Sequence, residues 1–405
     1  MEEKLKTFKE ECLKECENIF LWWEKHTIDE ENGGFIGQID FDMKKHPEVD
    51  KALVLNSRIL WAFSAAYRIF KKQKYLALAD RAYSYLVEKF YDKEHHGVYW
   101  MVDKTGKPIN KRNQIFGLAF ASCVLAEYYR AKEKKEALDI AMDLFDSVEK
   151  YSLDKKHNGY LDAFSQDWKV LEDMRLSPAD KNEPKTMNTH LHILIGYANL
   201  YRVHKDEKVK KSLKNLIELF LNKIIDTKRG ALNLFFDVDW THKSDNDSYG
   251  HDMETSWLLW DAANVLGDEE IIKKARPIVL QMVDHSLKCA FDKDGGLMSN
   301  GKDEKVADTD KCWWVQTETV IALMNAYQLT KDEKYLDDAL LTWDFIKKYI
   351  IDHKDGEWNG KVSKDDHKPY TNEVKAGTWK CPYHDSRMCM EVAERVDAIL
   401  AEKKK

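Results

Sequence analysis

Six loops of the chain share one pattern, and this repeat restricts the possible folds more than any other feature of the sequence. Each loop has an aspartate, a glycine four or five residues later, and then mostly apolar or aromatic residues. The steps between successive glycines are 60 to 71 residues, for Gly34, Gly97, Gly159, Gly230, Gly296 and Gly356. A unit of this size that recurs six times has to bury its apolar face against its neighbours.

Between these loops, apolar residues recur with the helical period and predict twelve helices. We place them near 3–27, 49–73, 77–92, 112–132, 134–149, 184–204, 207–226, 248–266, 269–288, 312–329, 332–350 and 382–403. The links after even-numbered helices are only a few residues long, whereas those after odd-numbered helices run to about 20 to 35 residues. We therefore expect an all-α fold, an (α/α)6 barrel of twelve helices in six hairpin repeats, forming a single domain over residues 1–405.

The two sets of helices differ in composition, which predicts where each set lies. Even-numbered helices are apolar on most faces, as in ILWAFSAAYRIF at 59–70, while odd-numbered helices carry more lysine, glutamate and aspartate. A helix that is apolar all round belongs inside, and an amphipathic helix faces water. The even-numbered helices should form the inner ring, with their N-termini and the long loops at one mouth of the barrel.

Composition excludes several classes of protein. The net charge is -7 with no basic block, which argues against a nucleic-acid partner. No apolar stretch is long enough for a membrane span, and the charged N-terminus lacks a secretory signal. Seven scattered cysteines without a CxxC motif fit reduced thiols in a cytoplasmic protein. We expect a monomer or weak dimer whose partner is a small molecule, and 13 Trp, 18 Tyr and 14 His suggest an aromatic-lined site.

Ionisable and aromatic residues recur near the starts of the inner helices. Any one of them is compatible with a structural role, but their equivalent places in separate repeats indicate a common site at the mouth. The set comprises Arg58, His190, His192, His251, Glu254, Trp314, Glu318, Trp379 and His384.

The sequence gives no support for a metal or another cofactor. His190 and His192 are two apart and do not share a helix face, so they do not easily bind one ion. There is no HExxH motif, and DKDGGLMSNGKD lacks the ligand series of an EF-hand. We expect neither metal nor cofactor.

The chemistry that suits this set is proton transfer next to a carbonyl group. Histidine exchanges protons near neutral pH, so two histidines facing one carbon can remove a proton from one side and return one to the other. A carboxylate beside each histidine fixes its tautomer, and an arginine with a third histidine can stabilise the negative oxygen that develops. Aromatic rings would stack on a sugar, so a carbohydrate is the expected substrate.

Five segments resemble the N-acylglucosamine 2-epimerase superfamily, most closely its cellobiose 2-epimerases. They are LNSRILW (55–61), KTMNTHLH (185–192), SYGHDMETSWLL (248–259), WWVQTET (313–319) and WKCPYHDSRMCMEV (379–392). The resemblance implies an (α/α)6 barrel that needs no cofactor. It also implies conversion of the reducing-end glucose of a β-1,4-linked disaccharide into mannose through a cis-enediolate.

The resemblance also implies roles for individual residues. His384 and His251 would be the acid/base pair, with Glu318 and Glu254 as their supporting carboxylates, and Arg58 and His192 would stabilise the enediolate. His190 would be structural. Substrate contacts would come from Trp314, Trp379, Tyr383, Asp180, Asn188 and Phe116.

Three departures from the pattern leave the substrate open. Ile195, Trp260 and Phe116 stand where a Glu, an Asp and a Tyr respectively are frequent. A mannose 2-epimerase acting on monosaccharides and an aldose–ketose isomerase remain alternatives. A glycoside hydrolase of the same barrel is less favoured, because it needs two carboxylates flanking the scissile bond and the predicted site consists mainly of histidines. A sugar-binding or scaffold protein would not need three histidines there.

Overall fold

The computed structural model describes residues 1–402 and contains twelve α-helices in that range. In chain order they are α1 Glu2–His26, α2 Leu53–Phe70, α3 Gln73–Tyr85, α4 Ile115–Lys132, α5 Lys135–Ser147, α6 Met187–Val203, α7 Glu207–Leu219, α8 Tyr249–Leu266, α9 Glu269–Ala290, α10 Trp313–Thr330, α11 Glu333–Phe345 and α12 His384–Glu402. Every predicted helix is present. The predicted end of the last helix, residue 403, lies outside the described residues.

The even-numbered helices form a closed inner ring, which confirms the predicted (α/α)6 barrel. Each packs against the next even-numbered helix, and α12 contacts α2 to complete the circle. The outer helices pack on this ring, α1 against α12 and each later odd-numbered helix against the even-numbered helix before it. Burial follows the composition: α10 is buried at every position from Val315 to Tyr327, whereas α7 buries only a stripe that includes Val209, Leu213 and Leu216.

Several predicted boundaries were wrong, for local reasons. Helix α2 begins four residues after the predicted start because Lys51–Ala52 pairs as a strand. Four outer helices end early and continue as a five-residue π-helical turn, in which apolar residues remain buried, so the sequence pattern does not mark the change. These turns are Leu86–Phe90, Val148–Ser152, Phe220–Ile224 and Ile346–Ile350.

The long loops contain eighteen short strands within the described residues. They are β1 Ile39–Asp40, β2 Lys51–Ala52, β3 Tyr91–Asp92, β4 Gly97–Val98, β5 Met101–Val102, β6 Pro108–Asn110, β7 Asn113–Gln114, β8 Ala163–Phe164, β9 Lys185–Thr186, β10 Ile225–Asp226, β11 Ala231–Leu232, β12 Phe235–Phe236, β13 Asn246–Ser248, β14 Asn300–Lys302, β15 Lys305–Asp308, β16 Lys311–Cys312, β17 Lys361–Val362 and β18 Val374–Ala376. All pair antiparallel in sheets of two or three strands. The pair β1–β18, with Ile39 opposite Ala376, joins the first loop to the last and closes the ring at the mouth.

Backbone hydrogen bonds hold the starts of the inner helices at equivalent positions. In five repeats, the first residue of the inner helix donates its N–H to a carbonyl in the long loop of the next repeat. The pairs are Leu53 to Trp100 (3.1 Å), Ile115 to Asp162 (2.9 Å), Met187 to Leu234 (2.9 Å), Tyr249 to Ser299 (3.2 Å) and Trp313 to Gly360 (3.1 Å). Each bond also satisfies an N–H that has no partner within its own helix.

Buried ion pairs explain the repeated aspartate in four of the six loops. Its carboxylate accepts a hydrogen bond from a buried lysine further along the chain, in the pairs Lys51–Asp29 (2.7 Å), Lys185–Asp154 (2.8 Å), Lys311–Asp292 (3.0 Å) and Lys375–Asp352 (2.7 Å). In the fourth repeat the charges are exchanged, and Arg229 donates to the buried carboxylate of Asp247 at 2.9 Å.

Two further observations concern membrane spans and the state of the cysteines. No helix within residues 1–402 is both long and apolar enough to cross a membrane. All seven cysteines are free thiols.

Candidate active site

A cavity of about 270 Å³ lies at the N-terminal ends of the inner helices, and every inner helix contributes to its wall. The mouth of the barrel thus brings together most of the residues predicted from the sequence. The lining residues are Arg58, Phe116, Leu176, Ser177, Asp180, Asn188, His192, His251, Glu254, Trp313, Trp314, Trp379 and His384.

His384 is the first residue of α12 and is held by a carboxylate from α10. Its Nδ1 lies 2.7 Å from Oε1 of Glu318, which is fully buried. A carboxylate only accepts, so Nδ1 carries the proton and Nε2 keeps its lone pair. Burial, together with the positive charge of Arg58, lowers the pKa of His384 well below its ordinary value. His384 is therefore a neutral base with a fixed tautomer at neutral pH.

The predicted pairing of His251 with Glu254 was wrong. Nδ1 of His251 is 2.7 Å from Oγ of Ser248, whereas Glu254 accepts a hydrogen bond from Arg387 at 2.7 Å. His251 and Glu254 do share a helix face and line the same cavity, but the carboxylate is directed to the floor of the site. Burial lowers the pKa of His251, so this second histidine is also neutral near pH 7.

The two histidines of NTHLH have different environments. His190 is fully buried with both ring nitrogens occupied, since Nδ1 is 2.7 Å from the Thr186 carbonyl and Nε2 accepts from the Tyr160 N–H at 3.0 Å. It is absent from the cavity wall, which fits the structural role expected for it.

His192, by contrast, lines the cavity. Its Nδ1 donates to the Asn188 carbonyl at 3.0 Å, and its Nε2 is buried without a hydrogen-bond partner among the described residues. Burial and the charge of Arg58 lower the pKa of His192. Its Nε2 is therefore an acceptor for a hydroxyl group. The predicted role, stabilising a negative oxygen, does not fit this tautomer.

Arg58 and three aromatic rings complete the wall. The guanidinium of Arg58 lies 5.8 Å from the ring centroid of Trp379 and donates to its carbonyl at 3.3 Å. The Trp314 ring is 4.9 Å from the His251 ring and 5.7 Å from the His384 ring, between centroids. Phe116 lies against His192 with 3.8 Å between centroids. An apolar ring face next to each reacting group suits a sugar.

Tyr383 does not line this cavity, and the prediction that it contacts substrate was wrong. It is fully buried, its hydroxyl accepts a hydrogen bond from Arg387, and it borders a second cavity at the other end of the barrel. Tyr383 directly precedes α12, and its ring packs against Trp61, Phe120 and the Arg387 guanidinium beneath the floor.

A larger chamber of about 720 Å³ adjoins the first cavity. Leu176, Asp180, Asn188 and His251 line both, so these residues mark the junction of the two spaces. Asp180 receives the N–H of Ser177 at 2.9 Å, which fixes its carboxylate at the junction. The carbonyl oxygen of the Asn188 side chain has no partner among the described residues.

The sequence and the fold both match known proteins. The model of the N-acylglucosamine 2-epimerase (GlcNAc 2-epimerase) family matches residues 33–387. The chain belongs to this family. It is 43% identical to a cellobiose 2-epimerase of Bacteroides fragilis, over 95% of this chain and 98% of that protein. The structure of a cellobiose 2-epimerase from Bacillus thermoamylovorans is 40% identical, with a TM-score of 0.92, over 96% of this chain and 100% of that one.

A more distant relative is a D-mannose isomerase of Marinomonas mediterranea. It is 26% identical, over 89% of this chain and 91% of that protein. Since the family and the more similar relatives are epimerases, the chain is a carbohydrate epimerase.

In this member of the family, sequence reasoning missed two residues beneath the reacting groups. Arg387 donates to both Glu254 and Glu318 at 2.7 Å, and Trp257 donates through Nε1 to Oε2 of Glu318 at 2.9 Å. The signal for Arg387 was its position three residues after His384, on the same helix face.

The carboxylates of Glu254 and Glu318 and the His384 ring also have the geometry of possible metal ligands, with atoms within 4.8 Å of one another. The guanidinium of Arg387 already lies among them, 3.4 Å from Nδ1 of His384. The Arg387 guanidinium thus supplies the positive charge between these three side chains.

Proposed function

We propose that this epimerase interconverts the reducing-end glucose and mannose of β-1,4-linked disaccharides. It would convert cellobiose to 4-O-β-D-glucosyl-D-mannose and lactose to epilactose. The observation that carries the proposal is the His384–Glu318 pair, with Nε2 of His384 left basic, in the same cavity as a second neutral histidine, His251. The Bacteroides fragilis and Bacillus thermoamylovorans relatives are cellobiose 2-epimerases, which supports the same assignment.

The two histidines would carry the proton at C2. After ring opening gives an aldehyde at C1, one histidine accepts the C2 proton, the C–H electrons form a C1–C2 double bond, and the carbonyl oxygen becomes negative. The other histidine, which has taken up a proton from solvent before this step, donates it to the opposite face of C2 while the carbonyl re-forms. One histidine gains a proton and the other loses one, and exchange with solvent resets the pair.

The remaining residues would bind and stabilise. Arg58 lines the cavity together with both reacting histidines and would stabilise the negative oxygen of the cis-enediolate. His192 would accept a sugar hydroxyl through Nε2, and Asn188 and Asp180 would bind hydroxyls at the junction of the two cavities. Trp314, Trp379 and Phe116 would contact the apolar sugar faces.

The space beyond the catalytic cavity favours a disaccharide over free mannose. The cavity of about 270 Å³ around the histidines is near the lower limit of ordinary ligand sites, and the adjoining chamber of about 720 Å³ is larger. A β-1,4-linked unit attached to the reacting sugar would extend into that chamber.

The geometry disfavours hydrolysis. Glu254 and Glu318 are both tied to Arg387, and the oxygens of Glu318 are further occupied by His384 and Trp257. Glu318 therefore has no free oxygen with which to act as a nucleophile or as a proton donor to a glycosidic oxygen, as hydrolysis requires. Aldose–ketose isomerisation shares the enediolate and differs only in reprotonation at C1.

We further propose that residues 1–405 work as one catalytic domain, in the cytoplasm, as a monomer or weak dimer and without a cofactor. The seven free thiols support a reducing compartment. Because Arg387 occupies the position among the possible metal ligands, we expect full activity after dialysis against EDTA. Loss of activity that added metal restores would contradict this expectation.

The test of the proposed function is to incubate the protein separately with cellobiose, lactose, glucose and mannose and to identify products by NMR. We expect the 2-epimers of the two disaccharides and little change in the monosaccharides. Conversion of the monosaccharides alone would contradict the disaccharide assignment, and ketoses as main products would instead indicate an isomerase.

A further inference from the structure

Arg387 occupies the centre of the floor beneath the catalytic cavity. It is 2% exposed, and its Nη2 donates to Oε1 of Glu254 and Oε1 of Glu318, each at 2.7 Å. The same oxygen of Glu318 contacts Nδ1 of His384. One guanidinium nitrogen therefore lies directly behind the bond that sets the histidine tautomer.

The orientation of this guanidinium is fixed by its surroundings. Its central carbon is 4.2 Å from the ring centroid of Tyr383 and 4.9 Å from that of Trp257, and Nη1 donates to the Tyr383 hydroxyl. Trp257 in turn donates to the second oxygen of Glu318. A planar guanidinium stacked on aromatic rings has a fixed orientation, whereas the ammonium group of a lysine does not.

Two buried carboxylates at this separation need a cation between them. The reactive atoms of Glu254 and Glu318 lie within 4.8 Å of each other, and both side chains are almost fully buried. Like charges this close in a dry site repel each other. Without a cation between them, Glu318 would turn away from Glu254, and Nδ1 of His384 would lose the acceptor that obliges it to carry the proton.

We infer that Arg387 is a positioning residue of the epimerisation, which keeps Glu318 aligned with His384 so that Nε2 remains the basic atom facing the sugar. This inference rests on the proposed function. Arg387 does not line the catalytic cavity, so it acts through Glu318 and His384.

The charged and titratable groups around His384 define how its protonation responds. They are Arg58 on α2, His192 on α6, His251 and Glu254 on α8, Glu318 on α10, and Tyr383 and Arg387 at the start of α12. Burial, Arg58 and Arg387 all lower the pKa of His384. Without the Arg387 cation, His384 becomes easier to protonate, so the loss of activity at acid pH moves upward.

The test compares Arg387→Met and Arg387→Lys with Arg395→Met, a matched change two helical turns along α12. Arg395 donates to Asn325 and Gln328, outside the cavity wall. We expect Arg387→Met to lower kcat by about 10- to 100-fold. In metalloproteins, removing a residue that orients a metal-binding histidine has an effect of this size. The acid limb of the pH–rate profile of this variant should move to higher pH by about one unit or more. Binding of cellobiitol, which lacks the C1 carbonyl, should change by less than about threefold.

The lysine variant separates charge from geometry. Arg387→Lys should return the acid limb toward that of the unaltered protein while kcat stays low, because one ammonium does not reproduce the guanidinium fork. Unchanged kcat and acid limb in Arg387→Met, or equal losses in Arg395→Met, would overturn the inference.

A readout without turnover keeps this test separate from the proposed function. Long-range ¹H–¹⁵N NMR of the histidine rings should show His384 as the Nδ1–H tautomer in the unaltered protein and as a mixture in Arg387→Met, or in Arg387→Lys if the methionine variant does not fold. Identical ring spectra would overturn the inference. Failure of the unaltered protein to epimerise any disaccharide would overturn the proposed function, and with it the assignment of Arg387 to that reaction.

Discussion

At the scale of single residues, hydrogen-bond partners distinguish four histidines that look alike in the sequence. Glu318 makes His384 a base with a free Nε2, and Ser248 takes the corresponding place beside His251. His192 is an acceptor and His190 is fully occupied. The type and spacing of a residue do not reveal these partners, because each comes from the preceding turn, another helix or a loop.

The first prediction concerns the proton-transfer pair. His384→Ala and His251→Ala should each lower kcat for cellobiose epimerisation by at least about two orders of magnitude, the lower range for positioned acid/base groups. His353→Ala is the control, because this exposed histidine lies by the backbone carbonyl of Lys347 and does not line the cavity. Near-normal turnover in either active-site variant would disprove the assignment.

The second prediction concerns pH. Burial lowers the pKa of both His384 and His251, so their base forms persist to lower pH than that of an ordinary histidine with a pKa of about 6.5. The acid limb of kcat/KM, where the base becomes protonated, should therefore lie below pH 6.5. A pH–rate profile with its acid midpoint at or above that value would contradict the environment described here.

The sequence predicted the membership of the site better than its contacts. Arg58, His192, His251, Trp314 and His384 line one cavity as expected, because equivalent helix starts meet at one mouth. The partner of Glu254 and the direction of Tyr383 depended on Arg387, which no pattern had singled out. Ser177 and Leu176 come from an irregular loop with no periodic signal.

At the scale of elements, the loops fix where the inner helices begin. In three loops, a buried lysine two residues before the inner helix donates to the aspartate of the loop, as Lys51 does to Asp29 before α2. Burial alone would raise the pKa of Asp29, but the hydrogen bonds from Lys51 and from two backbone amides hold it below its usual value. The repeated Asp and Gly were visible in the sequence, whereas the lysines were hidden among many surface lysines.

The third prediction tests this anchor. Lys51→Met should lower the free energy of unfolding by about 3–5 kcal/mol, because it leaves the buried Asp29 without its cation. Lys74→Met is the matched control, since the Lys74–Glu24 pair is exposed and should contribute about 0–1 kcal/mol. Urea unfolding of both variants checks the difference, and similar values for the two would show that the buried pair does not stabilise the loop.

At the scale of the whole molecule, closure of the ring makes one site out of six repeats. The repeat length and the apolar inner helices were enough to predict the barrel, because both follow from burial. The π-helical turns were not predictable, since their apolar residues continue the helical pattern. The strand pairs between neighbouring loops were not predictable either, since each strand has only two or three residues.

The central claim is that two histidines exchange the C2 hydrogen with solvent during epimerisation. The most direct test is to convert cellobiose in deuterated water and to read C2 of the product by proton and carbon NMR. We expect deuterium at C2 of every epimer formed, and no incorporation with His384→Ala over the same time. Epimers that keep the original hydrogen at C2 would contradict proton transfer through the histidines and indicate a hydride or another route.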